Sequence, residues 1–84
     1  MSRFRKLYEK FLDGRPLTFA ELQAIAVALG FVLDRISGSH HIYRHDGVPE
    51  RFNIQPKGKD AKPYQVRQLR DMITTYGLTL DDSE

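Results

Sequence analysis

The 84-residue chain has no cysteine and no tryptophan. Without cysteine there are no disulfides, no thiolate nucleophile and no cysteine-ligated zinc. Long apolar runs are missing too, none approaching the ~18 residues of a membrane-spanning helix. The opening Met-Ser-Arg-Phe-Arg-Lys lacks the apolar segment and small-residue cleavage site of a secretory signal, so a cytoplasmic location is expected. The chain contains no Gly-x-x-x-x-Gly-Lys phosphate loop, no dinucleotide fingerprint and no Gly-x-Ser-x-Gly elbow. Internal repeats, linkers and low-complexity tracts are likewise lacking. With 40% hydrophobic and 29% charged residues the composition is that of a folded chain, and the length suits one domain over 1–84.

Charge is present but unevenly spread. Residues 1–30 carry five basic and three acidic side chains, residues 31–70 eight and four, and residues 71–84 four acidic and none basic. All three histidines fall in the basic middle. Such a segment suits a polyanionic partner, although a solvated Arg-rich surface would look the same.

Periodicity supplies the elements. Phe4, Leu7, Tyr8, Phe11 and Leu12 form a helical stripe that Asp13-Gly14 should end. Thr18 and Glu21 have capping-box spacing, and Leu22, Ile25, Ala26 and Leu29 repeat the stripe up to Gly30. From Phe31 the pattern turns β-rich: Phe31–Ile36, a Ser37-Gly38 turn, His40–Arg44, the hairpin dipeptide Asp46-Gly47, then Glu50–Gln55, which Pro56 should end. Lys57–Ala61 reads as a flexible basic loop. Pro63 opens a last helix with Val66, Leu69, Met72, Ile73 and Tyr76 on its apolar face and Gly77 at its end. Residues 1–14 are an additional leading helix, 18–78 the core, and 79–84 an acidic tail expected to fray. The order α-α-β-β-β-α predicts an α+β fold: a three-stranded antiparallel meander with helices on one face and the other face open.

His40, His41 and His45 raise the question of a metal site. On one strand His41 and His45 share a face but stand about 13 Å apart, and His40 and His41 point to opposite faces. No metal site is therefore expected. Ser39 and His40 diverge as strand neighbours and make a poor nucleophile–base pair. A histidine at a Gly-Ser turn amid Arg and Lys does suit a reaction that needs no metal, cleavage of RNA by its own 2′-hydroxyl. Imidazole titrates near neutrality and can take the 2′-OH proton, while cations stabilise charge on the phosphate. A turn histidine with a purely structural hydrogen bond is the alternative. His41 and His45 are expected to face solvent or RNA, and Tyr43 to be core or a base-stacking platform.

Gly30-Phe31, Gly38-Ser39-His40-His41-Ile42-Tyr43, Phe52-Asn53-Ile54-Gln55-Pro56, and Lys62-Pro63 ahead of the helix Val66–Ile73 together resemble the HicA family of toxin ribonucleases. The resemblance covers roughly residues 18–78 and implies a fold like a double-stranded-RNA-binding domain (dsRBD). It further implies an mRNA-cleaving, metal-independent endoribonuclease without cofactors, silenced by a HicB-like antitoxin. His40 falls on the family's catalytic position, Tyr43 on its aromatic position and Lys62 on its basic one. Gly38 supplies the turn that aims His40, and Ser39, Arg44, Lys57, Lys59 and Lys62 are the expected RNA contacts. The leading helix, Ser37 and the Gln55–Lys59 stretch depart from the family pattern. Two further readings are a non-catalytic RNA-binding module of dsRBD-like shape and a protein–protein adaptor. Only the first of the three requires His40 for cleavage, and only the two RNA readings require salt-sensitive RNA affinity.

Overall fold

In the computed structural model, which describes residues 3–80, the chain runs α1 (Arg3–Leu12), α2 (Phe19–Ala28), β1 (Val32–Ser37), β2 (His40–His45), β3 (Val48–Ile54), β4 (Pro56–Lys57), β5 (Asp60–Ala61) and α3 (Pro63–Tyr76). The acidic residues from Asp81 onward lie outside the described residues. Apart from the short β4–β5 hairpin, this is the α-α-β-β-β-α order expected of an α+β, dsRBD-like fold. β1, β2 and β3 form an antiparallel meander in that order.

Helix α2 begins where the capping box predicts. The Thr18 hydroxyl accepts from the Glu21 amide at 3.1 Å, and the Glu21 carboxylate accepts from the Thr18 amide at 2.9 Å. It ends in a Schellman motif: Gly30 donates to Val27, and Phe31 donates to Ala26 at 3.0 Å. Phe31 thereby turns into the core at the head of β1.

Leu22, Ile25 and Leu29 of α2, Tyr43, Phe52 and Ile54 of the sheet, and Val66, Leu69 and Met72 of α3 make one buried cluster. Helix α1 buries Phe11 completely in the same cluster and packs Phe4, Leu7 and Tyr8 against it. Leu12, counted in the stripe from spacing, is instead 52% exposed, because it ends the helix on its outer side. Arg70 of α3 ties α1 down, donating to the Phe11 carbonyl at 3.0 Å with its guanidinium 5.8 Å from the Phe11 ring centre.

The segment Lys57–Ala61 is not a flexible loop. Pro56 and Lys57 pair with Ala61 and Asp60 around a Gly58-Lys59 turn. Phe19 donates to the Lys59 carbonyl at 2.9 Å, and Ala61 donates to the Leu17 carbonyl at 3.0 Å. The connection between α1 and α2 thus binds the hairpin edge. Pro56 accordingly opens a new strand rather than merely stopping the old one.

Candidate active site on the open face of the sheet

Alternation along β2 decides what each of its residues meets. Tyr43 is buried and accepts a hydrogen bond from the Gln23 amide at 3.0 Å, so residues 41, 43 and 45 face the helices. His40, Ile42 and Arg44 face the other way, onto the surface no helix covers. Cross-strand partners share a face, which puts Arg35 and Asn53, both paired with Ile42, beside them.

His40 is aimed by the turn before it. Ser37 pairs with His40 around Gly38-Ser39, and Gly38 has φ +61°. A positive φ at the first central residue is the II′ hairpin pattern, which glycine adopts without strain. A Cβ there would meet nothing within 4 Å, so backbone conformation and not space calls for glycine.

The His40 ring is oriented by Asn53. Its Nδ1 lies 3.1 Å from the Asn53 Oδ1. A carboxamide oxygen only accepts, so Nδ1 carries the hydrogen and Nε2 of the neutral ring keeps its lone pair facing solvent. Asn53 is held in turn through its backbone: the buried Gln65 donates to the Asn53 carbonyl at 3.4 Å and accepts from the Gln55 amide at 3.2 Å. Helix α3 thereby fixes the end of β3.

The other two histidines are occupied elsewhere. The His41 ring stands edge-on to Phe19, centroids 5.0 Å apart, and its Nδ1 meets the Ser39 carbonyl at 3.3 Å. His45 accepts from the Gly47 amide at Nδ1 (2.8 Å), leaving Nε2–H to donate to the Leu29 carbonyl at 3.1 Å. Its ring packs on Phe31 at 5.0 Å, and a Cβ on Gly30 would come within 3.0 Å of Nε2. The expectation that His41 and His45 face solvent or RNA is therefore corrected: both are half-buried on the helix side, and His45 is a structural bracket.

The expected RNA contacts are scattered by comparison. Ser39 lies in the turn beside His40. Arg44 shares its face but sits four residues along β2, roughly 13 Å away, with its guanidinium 3.8 Å from Asp46. Lys57 and Lys59 are exposed on the hairpin, and Lys62 is the half-buried N-cap of α3, where its side chain makes no capping bond. Arg35 and Asn53 were not singled out from sequence. Both become visible only through strand register, although Asn53 occupies the wet phase of the β3 alternation.

A family model described as the HicA toxin of bacterial toxin–antitoxin systems matches residues 19–77. The chain belongs to the HicA family. As a HicA-family toxin it is one half of a toxin–antitoxin pairing. No curated protein and no solved structure matches it. The match begins one residue after the α2 cap and ends at the α3 stop, Gly77, so α1 lies outside the matched residues. Among the described residues no helix is long and apolar enough to cross a membrane.

Proposed function

We propose that the chain is a metal-independent endoribonuclease that cleaves mRNA in the cytoplasm, with His40 as its general base and a HicB-like antitoxin as its inhibitor. The observation that carries this reading is the exposed His40 ring with Nδ1 on Asn53 and Nε2 free. Nε2 takes the proton of a ribose 2′-hydroxyl; the 2′-oxygen attacks the adjacent phosphorus; the bond to the 5′-oxygen breaks and that oxygen takes up a proton from solvent. The products are a 2′,3′-cyclic phosphate and a 5′-hydroxyl. Arg35, diagonally across from His40 on β1, bears on the developing phosphate charge, and Ser39, Lys57, Lys59 and Lys62 are further RNA contacts. Arg44 extends the contact along the strand. The reading requires His40 with Nε2 unprotonated, the form that can accept the 2′-hydroxyl proton.

The test is cleavage of a long single-stranded RNA in EDTA by the wild type and by His40→Ala, with the new ends characterised. Cleavage by the wild type alone, yielding cyclic phosphate ends, supports the reading. Equal cleavage by both proteins removes His40 from the mechanism, and no cleavage by either leaves RNA binding without chemistry.

A further inference from the structure

A groove of about 700 Å³ runs between the end of α1, the α1–α2 connection, the β4–β5 hairpin and the first half of α3. Its walls include the apolar Leu17, Ala61 and Val66. Its charged lining is Lys10, Arg15, Lys57, Arg67 and Arg70 against one carboxylate, Asp60. Two of these cations have work within the fold: Lys10 pairs with Glu21 at 3.3 Å, and Arg70 holds the Phe11 carbonyl. Arg15, Lys57 and Arg67 are exposed, and their side chains make no ion pair or hydrogen bond among the described residues. Like charges around one concavity repel, and its low-dielectric walls concentrate their field. The fold does not need that arrangement, but an extended anion would.

We propose that this groove binds the phosphate backbone of the RNA strand away from the scissile bond, a second contact region completed by α1. The proposal rests on the ribonuclease reading above and adds a substrate track to it. Lys10 of α1 and Arg15 of the connection precede residue 19, where the family match begins, so part of the groove's basic lining comes from outside the matched residues. Its hairpin wall follows directly on β3, the strand that carries Asn53. Only Gln55 separates β3 from β4, and Asn53 to Lys57 spans roughly 13 Å of extended chain. A strand leaving His40 past Asn53 reaches Lys57 and then the Arg15–Arg67 side of the groove.

Fluorescence anisotropy separates this from the alternatives, using His40→Ala protein to keep RNA intact. The probes are a labelled tetranucleotide and a strand of about 20 nucleotides. Arg15→Glu/Arg67→Glu should weaken the long strand at least about tenfold and flatten its log–log salt dependence by roughly 1.4, the equivalent of two phosphate contacts. The tetranucleotide should change less than about twofold. Arg3→Glu/Lys6→Glu makes the same charge change on exposed positions of α1 outside the groove and should alter neither affinity. Unchanged long-strand affinity would overturn the proposal and leave the cations to an acidic protein segment or a small anion. Equal losses on both lengths, equal losses in the control pair, or no RNA binding by any of these proteins would overturn it too. Cleavage by the wild type is scored separately, so His40-dependent cutting with an indifferent groove refutes the track and leaves the site intact.

Discussion

The two faces of the β2–β3 hairpin use the same residue types for opposite ends. On the covered face, His41 and His45 are pinned by Phe19, Phe31 and backbone groups, and Tyr43, Phe52 and Ile54 are almost wholly buried. On the open face, His40 has one side-chain partner among the described residues, Asn53, which leaves Nε2 free of them. Three histidines within six residues thus divide into two structural groups and one available for chemistry, and the divider is the two-residue period of the strand. Proximity in sequence is a poor guide to shared function here.

The sharpest way to break that contrast is to exchange the histidines' fates. His40→Ala should lower RNA cleavage by about 10²–10⁴, the range for losing a general base, with the thermal midpoint unchanged because the ring is exposed. His45→Ala should do the reverse, costing about 1–3 kcal/mol for the bonds to Leu29 and Gly47 while the folded fraction still cuts RNA. Cleavage and unfolding measured on both variants decide it; a His40→Ala protein that melts early, or a folded His45→Ala protein that is inactive, would erase the division between faces.

Core substitution should come next in size. Phe52 is completely buried opposite Tyr43, and Phe52→Ala should destabilise by about 3–5 kcal/mol in urea unfolding. Asn53→Ala, one residue along and facing out, should leave stability within about 0.5 kcal/mol. Its effect should fall on the cleavage rate, because His40 loses the acceptor that sets its tautomer. Gly30→Ala sharpens the same contrast from outside the sheet. It combines φ +100° with a Cβ 3.0 Å from His45 Nε2, so about 1–3 kcal/mol of stability should go, and the double variant Gly30→Ala/His45→Ala should recover part of it.

How much of this is legible in the chain follows from the range of the interactions. Helix stripes, the Thr18–Glu21 cap and the β3 alternation are written in nearby residues and appear where the pattern puts them apart from Leu12, while the Ser37-Gly38 turn forms one residue later, around Gly38-Ser39, with Ser37 in β1. The β4–β5 hairpin does not read as strands, because two-residue strands show no alternation. Its order comes from bonds to Leu17 and Phe19, some forty residues earlier. His45 looks like a surface histidine until Gly30 and Leu29 close on it, and Asn53 becomes His40's partner only through register. Gln65 is similar: a polar side chain near a helix start, it is buried because three hydrogen bonds, to Gln55, Asn53 and Tyr64, await it there. The family motif singles out His40 and says nothing of Asn53.

The smallest expected effect concerns the start of α2, which carries the Phe19 buttress of the covered face. The Glu21 carboxyl is held below its ordinary value near 4.5, first by the Thr18 amide and then by Lys10, against a partial burial that works the other way. A depressed folded value means that the unfolded chain takes up the proton first. The stabilisation from Glu21 is therefore complete above about pH 5 and is lost as pH falls through the carboxylate range. Glu21→Gln keeps an oxygen for the Thr18 amide but cannot titrate, so its stability between pH 5 and 3 should fall less steeply than that of the wild type. Urea midpoints at those two pH values measure the difference. Because Phe19 meets His41 and not His40, the acid loss should loosen the covered face alone; if the Phe19–His41 contact loosens while the His40–Asn53 geometry persists, the two faces are energetically separable as well as chemically distinct. Parallel slopes for the two proteins would mean that the cap contributes nothing that protonation can remove.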